Sequence, residues 1–394
     1  MTSWMRRRRL KLWSRLHRDF DGTNPTAKWT ARTIWALLAG ATSLLLGCAA
    51  TWVSRVVGAS TALTAWLAVW LLVTVATVAL IAVGAGLGRT RRPDTPQGLP
   101  YRLADVFTEV ALAGNQLAVF TSGGGKLSTE TRQAIAREMN LSETVFIVPP
   151  EAGGDAKIRM YSSVCEIDFA GHPLLGTACV LTAQWDLPVD AITLRIETNV
   201  GQLPVKVIPQ GPGRYRVWME QPLPEIRNFD RGAELLEALG LERSLLPIQV
   251  SDAGIPHLYV TAESVEAVEG IVPDFPLLGR IAGGPRINVF AGQGREFTTR
   301  MFSPFDYVPE DPACGSAAGP LAAHLVRYGL VEPGTQITLS QGASIGRPST
   351  LYAVAHGSAD QITSIEVGGG VCLIGGGELV PPVDVPADDD GSAT

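Results

Sequence analysis

Ala170-Gly171-His172-Pro173-Leu174-Leu175-Gly176-Thr177-Ala178 and Cys314-Gly315-Ser316-Ala317-Ala318-Gly319-Pro320 echo one another, and the fold turns on that echo. In each stretch a glycine and a polar residue precede a run of small and apolar residues, 177–185 and 321–328, whose spacing predicts a mostly buried helix. Each is therefore expected to be a loop feeding a helix N-terminus. Upstream, Arg159-Met160-Tyr161-Ser162 matches Arg300-Met301-Phe302-Ser303, and Glu166 and Glu310 each lie five residues before the glycine. Arginine to glycine spans 12 residues in the first copy and 15 in the second, which reads as two homologous halves with a small insertion in the second.

Glycines at these positions let a ligand approach the backbone closely, and the first amides of a helix have no partner inside it. The helix dipole adds about half a positive charge at each N-terminus. Two such ends facing one cleft are expected to hold a carboxylate without any arginine.

The chain has 394 residues, room for two or three domains, and its 46% apolar content is concentrated near the N-terminus. No charged residue occurs over 33–54 or over 56–88, and each run reaches the roughly 20 residues needed to cross a bilayer. Trp35, Trp52, Trp66 and Trp70 suit interface anchors, and basic residues flank the pair, with only Arg55 between them. The expected order is a basic cytoplasmic leader (1–32), a two-helix transmembrane hairpin (33–88) and a linker (89–100). Two halves (101–215 and 216–380) and a disordered acidic tail (381–394) follow. Both ends of the hairpin are expected in the cytoplasm, with a wholly cytoplasmic protein if translation starts downstream of the hairpin.

Residues 1–98 hold 13 of the 32 Lys and Arg but 3 of the 38 Asp and Glu, leaving 19 bases against 35 acids downstream. An acidic catalytic region argues against nucleic-acid binding, and the basic leader suits anionic lipid. The five cysteines, Cys48, Cys165, Cys179, Cys314 and Cys372, are widely spaced, with no disulfide framework and no metal-ligand pattern.

Strands are predicted over 103–107 and 116–120 around an Ala113-Gly114-Asn115 bend, then a helix capped by Ser128 and running to Asn140, then a strand over 144–148. Glu143 falls at the helix-to-strand junction, where side chains point into clefts. Near the C-terminus two strands are predicted, over 362–367 and 371–374. Acid–base chemistry needs a group that takes and gives a proton away from bulk water, and Glu143, His172 and Asp311 are the candidates. Alone each type is common in turns and on surfaces; two of these lie in or beside the paired loops.

Six ordered stretches then resemble the phenazine-biosynthesis isomerase (PhzF-like) family. They are Asp105-Val106-Phe107-Thr108 with Ala113-Gly114-Asn115 and Leu117-Ala118-Val119, Asn140-Leu141-Ser142-Glu143-Thr144, Phe169-Ala170-Gly171-His172-Pro173, Glu310-Asp311-Pro312, Gly315-Ser316-Ala317, and Gly346-Arg347-Pro348-Ser349. The resemblance implies an α/β diaminopimelate-epimerase-like fold, two pseudo-symmetric halves, each a curled sheet around a central helix, with the site between them. By motif position Glu143 is implied as the acid/base, His172 and Asp311 as its polar partners, and Gly171, Gly315, Ser316 and Asn115 as substrate contacts. The implied chemistry is a cofactor-free proton shift on a small carboxylate such as trans-2,3-dihydro-3-hydroxyanthranilate, in a homodimer. Gln116, Leu174 and Cys314 depart from the family pattern, which puts the substrate in question. Cys314 stands where related epimerases carry a catalytic thiol, but the position that would supply a second thiol is Ala170. A thiol epimerase and a non-catalytic membrane-tethered binding protein are the rival readings.

Overall fold

The computed structural model describes residues 98–380 apart from 186, 188, 189, 282 and 307, together with 71, 74 and 75. Met1–Thr95 and Pro96–Thr394 form separate units, and the fold described here is that of the second. The expected leader, nearly all of the membrane hairpin, most of the linker and the acidic tail lie outside the described residues. Among the described residues no helix is long and apolar enough to cross a membrane.

Seen in chain order, the first half, taken to Asn228 because the expected boundary at 215/216 would cut β8, contributes β1 (Leu99–Val106), β2 (Asn115–Phe120), β3 (Glu143–Val148), β4 (Ala156–Tyr161) and β5 (Glu166–Ile167), then β6 (Ile192–Thr198), β7 (Gly201–Gly211), β8 (Arg214–Gln221) and β9 (Glu225–Asn228). Its helices are α1 (Thr129–Met139) and α2 (Gly171–Gln184). The second half contributes α3 (Gly232–Leu239), β10 (Gln249–Asp252), β11 (Pro256–Thr261), α4 (Val265–Glu269), α5 (Phe275–Ile281), β12 (Arg286–Gln293), β13 (Glu296–Ser303) and β14 (Val308–Asp311). It ends with α6 (Gly315–Arg327), β15 (Gln336–Gln341), β16 (Ser349–Gly357) and β17 (Ile362–Leu379).

The internal repeat is visible in strand pairing. β2 runs parallel to β3 and β11 parallel to β12, while β4 runs parallel to β6 and β13 parallel to β15. In the β3–β4 ladder Phe146 faces Arg159, and in the β12–β13 ladder Val289 faces Arg300. Arg159 pairs with Glu166 as Arg300 pairs with Glu310, so the echoed arginines and glutamates do the same structural work in each half. The three extra residues of the second half lie between the paired Arg300 and Glu310, ten apart where Arg159 and Glu166 are seven, in a stretch that includes a short 3-10 turn, Pro304–Asp306.

A helix apolar on one face can lie on a sheet, but one apolar all round must be enclosed. In α2 every residue from Gly171 to Thr182 is buried, and in α6 only Ser316 and Arg327 are not. The strands accordingly wrap each helix, burying Leu174 and Leu175 of α2 completely; each such leucine contributes about 1.5–3 kcal/mol. Both helices begin at the glycine itself rather than after a loop, earlier than the sequence pattern suggests. Pro173 is tolerated in the first turn of α2, where an amide would lack an intrahelical partner.

Two other boundaries differ from expectation. The strand at the front of the fold starts at Leu99, inside the expected linker. The two C-terminal strands are one, β17, because Gly368, Gly369 and Gly370 continue it; side chains there would collide with Trp218, Phe107 and Thr108. β17 pairs with β16 and β8 and then returns to β1, so the last strand of the second half stitches into the first.

Candidate active site

A cavity of about 780 Å³ opens where the two central helices begin, and Glu143, Gly171, His172, Asp311, Cys314, Gly315 and Ser316 all line it. The helix starts touch: a Cβ built on Gly315 would lie 3.5 Å from Gly171 Cα and 2.8 Å from the Phe107 ring. Neither N-cap residue, Ala170 or Cys314, supplies a side-chain hydrogen bond, so the leading amides are left to the cavity. The two helix starts thus face one cavity, the placement that the echo predicts.

α1 sets the position of Glu143. Ser128 caps its start by accepting from the Thr131 amide, and Asn140 ends it in the left-handed conformation at φ 50°. Three residues later the chain enters β3 at Glu143, whose carboxylate Oε2 lies 3.2 Å from His172 Nε2. Burial holds the His172 ring neutral, its pKa lowered to about 3, although a ring N–H donates to the Gln116 backbone carbonyl. With that proton committed on the far side, Nε2 offers Glu143 a lone pair. The approach is off-axis for a hydrogen bond as it stands.

Asp311 closes β14 and lines the same cavity. Burial raises its pKa to about 6, against the opposing pull of hydrogen bonds from Asn115, Ala313 and Ser142 and of the positive charge on Arg286. Asn115 Nδ2 donates to Asp311 Oδ1 at 2.8 Å and to the Ala313 carbonyl at 3.0 Å. Asn115 is 1% exposed and stands behind the cavity lining, where it braces Asp311. The Ala113–Asn115 bend is in turn clamped by Arg347, which donates to Asp105 at 2.6 Å and to the carbonyls of Ala113 and Gly114 at 2.8 and 3.0 Å. Two further stretches of the family resemblance are thus scaffolding for one carboxylate.

An arginine does reach the cavity, contrary to the expectation from the sequence. Arg286, the first residue of β12, lines the wall near Asp311 and Cys314. Ladder register makes it the counterpart of Glu143: Leu117 faces Glu143 across β2–β3, and His257 faces Arg286 across β11–β12. The sequence hid this match because Glu143 precedes Arg159 by 16 residues and Arg286 precedes Arg300 by 14, the β3–β4 loop being longer. Ser142 and Gln341 were also missed; Gln341 donates to the Asp311 carbonyl at 2.8 Å and accepts from the Cys314 amide at 3.3 Å.

Cys314 occupies the thiol position of the rival mechanism, but its thiol pKa is pushed up to about 12 by burial and then by the nearby Asp311 charge. Among the described residues no cysteine stands at the matching N-cap, which is Ala170; Cys165 lines the outer, exposed part of the cavity, and Cys179 is sealed inside α2. Cys314→Ser is therefore expected to keep kcat within about tenfold, a change of about 1.4 kcal/mol in barrier at most. A loss of 10³ or more in a steady-state assay would restore the thiol route. The departures at Gln116 and Leu174 do not reach the cavity: Leu174 is fully buried, and Gln116 acts here through its backbone. Among the described residues no three His, Cys, Asp or Glu side chains come together as metal ligands do.

His172 also has a consequence for stability. Its folded pKa lies below the unfolded value of 6.5, so the unfolded chain binds the proton more readily and stability falls as pH drops from 6.5 toward 3. Urea denaturation at pH 7 and pH 4.5 should show His172→Gln losing less stability on acidification than the parent. An equal loss would mean that the ring is charged in the folded state.

Residues 104–376 match the model of the family described as phenazine biosynthesis-like protein, PhzC-PhzF. The trans-2,3-dihydro-3-hydroxyanthranilate isomerase of Pseudomonas fluorescens is 43% identical over 280 residues, covering 71% of this chain and 99% of that one. The protein of the same name from Pseudomonas aeruginosa is 44% identical over 275 residues, covering 68% and 95%. Among solved structures, a predicted epimerase from Pseudomonas aeruginosa superposes with a TM-score of 0.62 at 31% identity, covering 71% of this chain and 99% of that one. A Bacillus anthracis phenazine biosynthesis protein reaches 0.64 at 22% identity, covering 72% and 99%, a likeness of fold.

Proposed function

The chain belongs to the phenazine biosynthesis-like PhzC-PhzF family, and from that premise we propose that Glu143 shifts a proton between two carbons of a small carboxylate without a cofactor. The protein is a PhzF-like isomerase, and the substrate we assign is trans-2,3-dihydro-3-hydroxyanthranilate or a close analogue, the compound in the names of relatives 43–44% identical to it.

The observation that carries the mechanism is the Glu143–His172 approach of 3.2 Å inside a cavity that Asp311 also lines. Ionised Glu143 takes a proton from one ring carbon, and the freed electron pair spreads through the adjacent double bond. The carboxyl then returns the proton to the far end of that system, so the double bond moves and no charge is gained or lost. Neutral His172 can accept from Glu143 only when Glu143 holds the proton. It therefore stabilises the intermediate and not the starting state, as a catalytic partner must. The substrate carboxylate sits against the amides of the α2 and α6 starts, with Arg286 adding positive charge. Ionised Asp311 accepts from the substrate's amino or hydroxyl group.

The test is turnover of trans-2,3-dihydro-3-hydroxyanthranilate by the full-length protein, followed by NMR. Formation of the shifted double bond is expected; binding without turnover, across this compound and related cyclic acids, would instead leave a binding protein. The uncharged runs with basic flanks support a membrane tether over 33–88 with a cytoplasmic catalytic region, while the homodimer rests on the family resemblance alone. Carbonate washing of membranes should leave the chain in the pellet, and release into the supernatant would end that part of the proposal.

A further inference from the structure

His257 sits in β11 with no exposed surface, in the register position held by Leu117 in the first half. The fold is satisfied there by an apolar side chain, so an imidazole calls for a separate reason. Its two nitrogens are spoken for: Nδ1 lies 3.1 Å from Asn288 Nδ2 and Nε2 lies 3.0 Å from Ser316 Oγ. The orientation of Asn288 follows from its other neighbours, the Leu258 and Arg286 carbonyls, each 3.3 Å from Nδ2. Carbonyls only accept, so that atom is the NH2 nitrogen and it donates to His257 Nδ1. A neutral imidazole has one proton, which then resides on Nε2 and is given to Ser316 Oγ. Burial, with the Arg286 charge second, keeps the ring neutral.

We infer that His257, held in one tautomer by Asn288, is a positioning residue that forces Ser316 to act as a hydrogen-bond donor toward the substrate. The Ser316 oxygen is occupied as acceptor, so its single proton is directed away from His257, into the cavity that Ser316 lines. Cys314 Sγ, 3.4 Å from the same oxygen, is the weaker alternative partner and yields when an anion arrives. Ser316 is the second residue of α6, the place His172 holds in α2. One half thus supplies an acceptor for the Glu143 proton, and the other a donor for an anionic group. The specificity that follows is for a carboxylate over a carboxamide, whose NH2 would meet the Ser316 O–H donor to donor.

The inference rests on the isomerase reading for its kinetic consequence but not for its structural one. Imidazole nitrogen NMR of the full-length protein without substrate should show His257 as the Nε2–H tautomer, unchanged between pH 5.5 and 8. The Nδ1–H form, or protonation of both nitrogens in that range, would overturn it. With substrate, His257→Phe and Ser316→Ala should each raise KM about tenfold with a smaller change in kcat. The double variant should be no worse than Ser316→Ala, and independent, additive effects would contradict the relay. Asn288→Leu, which leaves both partners in place, should release a mixture of tautomers and raise KM; a pure Nε2–H signal with parental KM would also refute it. If the parent turns over no substrate, the functional reading fails while the tautomer measurement still decides this one.

Discussion

Glu143→Gln is expected to lower kcat by about 10²–10⁴-fold while shifting the dissociation constant for a substrate analogue by less than tenfold. The amide is nearly isosteric with the carboxyl, so the cavity wall and the β3 start are preserved, but it cannot lift a proton from carbon. His172 cannot take over, because burial holds its pKa near 3 and its other nitrogen is committed to the Gln116 carbonyl. Asp311, held by Asn115 at 2.8 Å, is committed to orienting the substrate rather than to substituting for Glu143. Steady-state kinetics beside calorimetric titration of an analogue separates the two effects. A fall in affinity matching the fall in kcat would mean that Glu143 binds and does not react.

Asp311→Asn should lose activity and gain stability. The folded pKa of Asp311 is raised from 3.8 to about 6, so the folded state holds the proton more tightly than the unfolded one. Its contribution is favourable below pH 3.8 and is lost as pH rises through 6, which leaves the ionised carboxylate a net cost at pH 7. At about 1.4 kcal/mol per pKa unit that cost is up to about 3 kcal/mol. An asparagine retains an oxygen for the Asn115 bond, and the Ser142 hydroxyl can rotate to accept from the new NH2. The variant should therefore melt a few degrees higher at pH 7, with little difference at pH 4. In the parent, kcat/KM should fall on the acid side with an apparent pKa near 6, and what activity the variant retains should lack that limb. A lower melting temperature at pH 7 would show that Asp311 is ionised at little cost and that its burial has been misjudged.

Much of this was legible in the sequence because the repeat is written into residues that serve the same structural purpose twice. Arg159 with Glu166 and Arg300 with Glu310 pair strand to strand in both halves, and Gly171 and Gly315 allow the helix starts to meet. The uniformly apolar run behind each glycine predicted an enclosed helix. What escaped was whatever depended on loop length or on distant partners. Arg286 matches Glu143 only once the β3–β4 and β12–β13 ladders are aligned, and Asn115 braces Asp311 across 196 residues of chain. The helix starts were placed too late because glycine and proline lower helix propensity on average, whereas tertiary enclosure overrides it here. Glycine is depleted in strands as well, so the pattern reads the β17 glycines as a break, although close packing of Trp218 and Phe107 requires them.

The central claim is that one carboxyl group both removes and returns the migrating proton. Its most direct test is incubation of the full-length protein with trans-2,3-dihydro-3-hydroxyanthranilate in heavy water, with the parent and Glu143→Gln compared by NMR. Glu143 lines the cavity, so the proton it has captured exchanges with solvent before delivery; the expected result is a shifted double bond with deuterium entering at the receiving carbon in the parent, and neither event in Glu143→Gln. Deuterium exchange in Glu143→Gln at the parental rate would contradict it.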